Sequence, residues 1–183
     1  MAVLKKFRSR WLSQSEAPLE PEKKEKTATP SWGMSYDIRP LTISQIEECW
    51  RLDQRCFSDG EAYDRETIRY LLSHAQSVCH KVNSHGDQMI AFVVGMIEPD
   101  GTGHVVALGV APEHRRYGHG RRLMDEVERG FLNRGVSTVR LEVRTSNITA
   151  QRLYLNLGYK IVRRMPRYYT SGDDGFLMVK SLA

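Results

Sequence analysis

The chain is poor in cysteine, in long apolar runs and in net charge, and each shortage removes a class of protein. Its three cysteines, Cys49, Cys56 and Cys79, form neither an even disulfide set nor a Cys-x-x-Cys pair. Reduced, partly buried thiols are therefore expected instead of a disulfide framework. The longest apolar run, Met89 to Ile97, covers nine residues with Gly95 inside it, whereas a membrane-spanning helix needs about 20. No transmembrane segment is expected. The basic start of the chain lacks the apolar core of about 7–15 residues that a secretory signal requires, which predicts a cytoplasmic location. Also missing are Gly-x-x-x-x-Gly-Lys-Ser/Thr, Gly-x-Gly-x-x-Gly and any internal repeat. The six histidines show no His-x-x-x-His spacing, so no metal is expected.

What is present fits one domain of ordinary size: 183 residues, 40% hydrophobic and 27% charged. The net charge is +5, and residues 1–34 hold seven Lys and Arg against four Glu, leaving 20 against 18 in the remainder. That near-neutral body lacks the concentrated basic face of a nucleic-acid-binding domain, and specific DNA binding is not expected. Residues 13–31 contain three prolines and hardly an apolar side chain, too little burial to offset ordering entropy, and read as a disordered linker. Ahead of them Val3, Leu4, Phe7, Trp11 and Leu12 alternate with basic residues. A basic amphipathic segment and a frayed tail are both open there. The chain thus divides into a basic extension, 1–34, and a domain, 35–183.

Beyond residue 35 the apolar periodicity switches repeatedly between strand and helix. Tyr36–Pro40 reads as a short strand, and Ser44 with Glu47 as the capping box of a first helix. A second helix follows Asp64, with Ile68, Leu71 and Leu72 on one side. Residues 77–82 and 88–98 are strand-like runs around a turn-rich loop, and 104–110 is a further strand. Leu123, Met124, Val127 and Phe131 form a helical stripe closed by Gly135. A strand at 139–143, a helix at 148–157 and closing strands at 159–165 and 176–179 follow. The order β-α-α-β-β-β-α-β-α-β-β predicts an α/β fold, a mixed sheet with helices on its faces.

The segment from Val110 to Arg122 reads Val-Ala-Pro-Glu-His-Arg-Arg-Tyr-Gly-His-Gly-Arg-Arg, a strand end leading into a helix. Its glycines let backbone come close to a ligand, and the free amides and dipole of the helix start suit a pyrophosphate. Arg115, Arg116, Arg121 and Arg122 add cations. By itself this pattern is weak, and a glycine-containing helix entry with a solvated basic face is the commoner reading. Specificity comes from linkage. Leu108-Gly109-Val110, Arg115-x-x-Gly118-x-Gly120, Leu141-Glu142-Val143-Arg144-x-Ser146-Asn147, Ala150-x-x-Leu153-Tyr154-x-x-Leu157-Gly158-Tyr159 and Arg167-Tyr168-Tyr169 occur in one order. Together they resemble the GNAT superfamily of acetyltransferases. Within it they are most similar to the ribosomal-protein-alanine N-acetyltransferases and the catalytic subunits of protein N-terminal acetyltransferases, over roughly residues 36–180 and most strongly from His104 onward.

The resemblance implies a GNAT-like fold, acetyl-coenzyme A as co-substrate and no metal. It implies that Leu108, Gly109 and Val110 hold the pantetheine arm, that the Val110 amide faces the thioester carbonyl, and that Arg115, Arg116, Tyr117, Gly118, His119, Gly120 and Arg121 cradle the pyrophosphate. Asn147 and Tyr154 are implied as further coenzyme contacts. Glu142 matches the general base, acting directly or through water, Tyr154 the acid for the leaving thiolate, and His104 a residue holding a catalytic water. Tyr168, Tyr169 and Glu61 match the peptide-binding loops. The implied reaction acetylates a protein N-terminal α-amine, with a ribosomal protein as acceptor and ribosome association as a corollary. Plainer roles stay open: Glu142 paired with Arg140 or Arg144, Tyr154 as core, His104 as structural, Glu61 as a solvated loop acid, and His114 and His119 as exposed loop residues. A lysine or small-molecule amine acceptor and a non-catalytic acetyl-coenzyme A sensor or assembly subunit also stay open. The segment Ser171-Gly172-Asp173-Asp174-Gly175 departs from the acidic-glycine-acidic-acidic-alanine run usual in the family.

Overall fold

In this computed structural model, which describes residues 36–57 and 60–182, the elements run β1 (Asp37–Pro40), α1 (Ile46–Cys56), α2 (Arg65–Ser73), β2 (Ser77–Asn83), β3 (Met89–Ile97), β4 (Gly103–Val110), α3 (His119–Leu132), β5 (Thr138–Arg144), α4 (Ile148–Asn156), β6 (Lys160–Met165) and β7 (Gly175–Ser181). The extension 1–34 lies outside the described residues. The element order is the one the periodicity predicts, with two local differences. The capping box sits at Thr42 and Gln45, opening a 3-10 turn (Ile43–Gln45) before α1, not at Ser44 and Glu47. Helix α3 also begins four residues before its apolar stripe; its first turn carries no apolar periodicity and includes Gly120, a poor helix former, so no local signal marks it. Asp64 caps α2 by accepting from the Thr67 amide at 2.7 Å, which satisfies one of the free amides at a helix start.

The strands form one mixed sheet in the order β1-β2-β3-β4-β5-β7-β6. Helix α3, with Leu123, Met124, Val127 and Phe131, packs on one face, where Val105, Val139, Leu141, Val143, Tyr154 and Met178 join it. Helices α1 and α2 cover the other face with Leu52, Ile68 and Leu71 against Phe92 and Val94. Within that sheet β4 is irregular. Val94 on β3 faces Ala107, whereas the next residue, Gly95, faces Val105, so Val106 is a bulge that sharpens the local twist. On its other side β4 runs parallel to β5 for three pairs only, Gly103–Val139, His104–Arg140 and Val105–Leu141. Both strands continue, to Val110 and Arg144, but diverge. The sheet therefore opens into a split whose edge is the carboxyl half of β4. No helix among the described residues is long and apolar enough to cross a membrane.

Candidate active site

The split is flanked at its open end by the start of α3. Gly118 caps that helix with φ +82°, a left-handed conformation that costs little only for glycine, and a Cβ there would meet nothing within 4 Å. Among the described residues the amides of 116–121 find no backbone acceptor, the first such bond being Arg122 to Gly118 at 3.1 Å. Gly120 brings this turn close to α4 and β4, since a Cβ there would lie 3.3 Å from the Leu153 side chain. Arg116, Arg121 and Arg122 are exposed and have no acidic partner among the described residues. Arg115 donates its Nε to the Val110 carbonyl at 3.2 Å, tying the loop to the end of β4. Tyr117 stands out into solvent. Free amides, open space and cations together fit a pyrophosphate, and the unpaired edge at Leu108, Gly109 and Val110 fits a chain bearing its own amides.

His119 differs from the sequence expectation. It is buried, not exposed, with neither ring nitrogen partnered among the described residues, and its ring meets Tyr36 edge-on at 4.4 Å. Burial first, and Arg122 next, hold its pKa below the ordinary value. Its backbone belongs to the cradle while its ring belongs to the core. His114 is half-buried. Asn147 accepts from the Ala150 amide at 3.1 Å and so caps α4. Gln151 clamps that helix onto β5 by donating to the carbonyls of Arg144 and Thr145, both at 2.9 Å.

At the root of the split, on the α1 and α2 face, sits a cluster of paired charges. Glu142 is the first β5 residue beyond the last pair with β4. Its Oε2 lies 2.6 Å from His104 Nε2, and its Oε1 accepts from Arg140 at 2.7 Å. His104 Nδ1 lies 3.2 Å from Glu98 Oε1, an oxygen that Arg140 also approaches at 3.4 Å. The His104 side chain is 2% exposed, Glu142 11% and Glu98 23%. Burial alone would raise the Glu142 carboxyl, but His104 and Arg140 hold it below the ordinary carboxylate range. Burial alone would lower His104, but Glu142 and Glu98 hold it above its ordinary value. Glu142 thus has both the arginine partner of the plainer reading and a histidine.

Three tyrosines roof this cluster. Tyr63 donates its hydroxyl to the carbonyl of the bulged Val106 at 3.4 Å. Its own amide donates at 2.7 Å to Asp53, a fully buried carboxylate of α1 that burial pushes up to about 7. Tyr168 and Tyr169 meet edge to face at 5.1 Å. Burial raises all three hydroxyls, and the Glu142 charge adds to it. Arg144 stacks over Tyr169 at 4.6 Å, pairs with Glu61 at 3.1 Å and also pairs with Asp173. Glu61 accepts from the amide and hydroxyl of Thr170 at 3.1 and 2.7 Å. Glu61 is therefore tied into a contact between two loops, the one before α2 and the one between β6 and β7. Tyr154, on α4, is buried in the core with its ring near Tyr159. Its hydroxyl has no hydrogen-bond partner among the described residues, and burial pushes its pKa up. Tyr63 and Glu98 escape sequence reading, and Arg144, there a possible partner of Glu142, pairs with Glu61 and Asp173. Tyr63 lies two residues from Glu61, but nothing in its local spacing signals that its hydroxyl reaches a β-bulge.

The sequence pattern of the acetyltransferase (GNAT) family matches residues 46–159. The chain is 33% identical over 103 residues to an uncharacterised N-acetyltransferase of Methanocaldococcus jannaschii, covering 56% of this chain and 65% of that protein. It is 34% identical over 114 residues to the catalytic subunit of the N-terminal acetyltransferase B complex of Arabidopsis thaliana, covering 57% of this chain and 62% of that protein. The matches thus span under two thirds of the length of either relative. The crystal structure of a ribosomal-protein-alanine N-acetyltransferase from Escherichia coli superposes with a TM-score of 0.72 at 25% identity, over 81% of this chain and 94% of that one.

Proposed function

The chain belongs to the acetyltransferase (GNAT) family, and from that premise we propose that it transfers the acetyl group of acetyl-coenzyme A to the N-terminal α-amine of a protein. One observation carries the reading: a largely covered carboxylate, Glu142, stands at the root of a split strand pair whose open end leads to the unpaired amides of a helix start. In this reading the amides of 116–121 and the neighbouring arginines hold the pyrophosphate, and the edge of β4 from Leu108 to Val110 holds the pantetheine arm. Bound acetyl-coenzyme A supplies an acetyl thioester, an electrophile toward a free amine. The remaining tasks fall to the protein's own side chains. Glu142, coupled to His104, accepts the amine proton, directly or through water. Backbone donors at the end of β4 face the developing oxyanion. Tyr154 is the donor for the departing sulfur in this reading; a phenol, at about 10 or above, is a weaker acid than a thiol at about 8.5, so the transfer is uphill and the C–S bond breaks largely because a thiolate is itself a good leaving group.

An α-amine, with a pKa of about 7.7–8.0, is deprotonated far more easily than a lysine at about 10.4, which suits a carboxylate held low by its partners. The three tyrosines and the loop contact through Glu61 offer hydrogen bonds and a wall to an extended peptide. A ribosomal protein is the acceptor class that the Escherichia coli relative suggests. The deciding experiment follows coenzyme A release from acetyl-coenzyme A with an alanine-initiated peptide containing one internal lysine, its N-terminus free or blocked. Turnover with the free terminus alone is expected. Equal turnover with both peptides moves the acceptor to lysine, and turnover with neither overturns the peptide reading.

A further inference from the structure

Acetylation of an ammonium group by a thioester forms one C–N bond, breaks one C–S bond and yields an amide, a thiol and one released proton. The group proposed to collect that proton is only 11% exposed, and its histidine partner is buried. A route outward is needed. The contacts supply one: Glu142 Oε2 to His104 Nε2 at 2.6 Å, then His104 Nδ1 to Glu98 Oε1 at 3.2 Å, with exposure rising to 23% at Glu98. Glu98 follows the end of β3, where the chain turns toward β4, on the far side of His104 from the split. Arg140 bridges the two carboxylates at 2.7 and 3.4 Å and, being permanently charged, carries no proton itself. With His104 protonated the four groups sum to zero charge. With His104 neutral they sum to −1.

We propose that Glu98 is a positioning residue for the acetyl transfer, holding the proton of His104 on Nδ1 so that the Nε2–Glu142 contact can take up the amine proton, and then passing a proton from Nδ1 to solvent. The inference rests on the acetyl-transfer reading above. In the resting pair the ring donates Nε2–H to the ionised Glu142 and Nδ1–H to Glu98. As Glu142 takes the amine proton, the Nδ1 proton leaves through Glu98; the Nε2 proton then shifts across the ring and Glu142 passes its own proton to Nε2, which restores the resting state with one proton taken in and one released. Among the described residues the groups facing the pair are Glu98 from the end of β3, Arg140 from β5 beside Glu142, and the hydroxyls of Tyr63, Tyr168 and Tyr169 from the two loops, with Asp100 beyond Glu98. Removing the Glu98 charge makes protonation of the pair less favourable. The acidic limb of the pH–kcat profile should then move to lower pH while its plateau falls.

The test compares wild type, Glu98→Gln and Glu98→Asp in two ways. The first is coenzyme A release against pH with a free N-terminal peptide. About a tenfold fall in the kcat plateau is expected for Glu98→Gln, a part of the 10²- to 10⁴-fold that a positioned base supplies, with KM little changed, a downward shift of the acidic limb and partial rescue by Glu98→Asp. The second, independent of turnover, is the titration of the His104 ring followed by NMR in the full-length protein. Glu98→Gln should lower its midpoint and Glu98→Asp should restore it. An unshifted His104 titration, or a limb and plateau matching wild type, overturns the proposal. A wild type inactive on every amine overturns the acetyl-transfer reading and the exit route with it, and the His104 titration separates that result from a failure of the coupling alone.

Discussion

Glu142 holds two partners at once, and its chemistry follows from both. His104 and Arg140 together hold it ionised, so in the proposed reading the proton-accepting unit is a pair and its titration belongs to the pair. Replacing Glu142 with Gln leaves the shape and removes the charge. Turnover is expected to fall by about 10²-fold or more while coenzyme A affinity stays near wild type, because no part of the helix-start cradle is touched. Steady-state kinetics together with calorimetric coenzyme titration checks both halves, and turnover at the wild-type level would remove Glu142 from the mechanism. At this scale the sequence was legible where a motif fixes a residue type. Glu142, His104, Tyr168 and Tyr169 lie together beside the split. It was mute where burial decides. His119 reads as a loop residue because its neighbours are glycines and arginines, yet its ring turns inward onto Tyr36. Glu98 reads as the end of a strand, and only the β3–β4 turn brings it onto His104.

In the proposed reading the start of α3 is the element on which coenzyme binding turns. Gly118 has a positive φ and open space beyond its Cα. A Gly118→Val change forces a β-branched side chain into the left-handed region, at a cost on the order of 1–2 kcal/mol, and fills the space above the free amides. Coenzyme A affinity is expected to drop at least about tenfold while Glu142 and His104 stay in place, and equilibrium binding measures it. Unchanged affinity would detach the cradle from the coenzyme. The elements themselves were legible because helix and strand periodicities are local. Their finer boundaries were not. Thr42 and Gln45 compete with Ser44 and Glu47 as a capping pair two residues apart, and both have the residue types a capping box needs. The bulge at Val106 and the parting of β4 from β5 carry no local signal at all, since register is settled between strands distant in sequence.

For the molecule as a whole, the cost of building the site is visible in its pH dependence. Asp53 is buried in α1 to hold the amide of Tyr63, and burial raises its pKa to about 7 from an ordinary value of about 4. The folded state therefore binds a proton more tightly than the unfolded chain. Stability from this group is fully present below pH of about 4 and is lost as pH rises toward 7, on the order of 4 kcal/mol in all. Thermal unfolding of Asp53→Asn should lack that decline and leave the variant more stable than wild type near neutrality, and an identical pH profile would show that Asp53 is ionised at no cost. A different kind of coupling comes from the split sheet. Strands β1 to β4 form one hydrogen-bonded plate and β5, β7 and β6 another, and only three rungs join them, at the closed end. The open end is a seam with one bare selvedge. Whatever threads that seam stitches the two plates together along the length their own backbones leave undone, so a bound chain acts as a thread of the fabric, and emptying the seam loosens the cloth as well as the site.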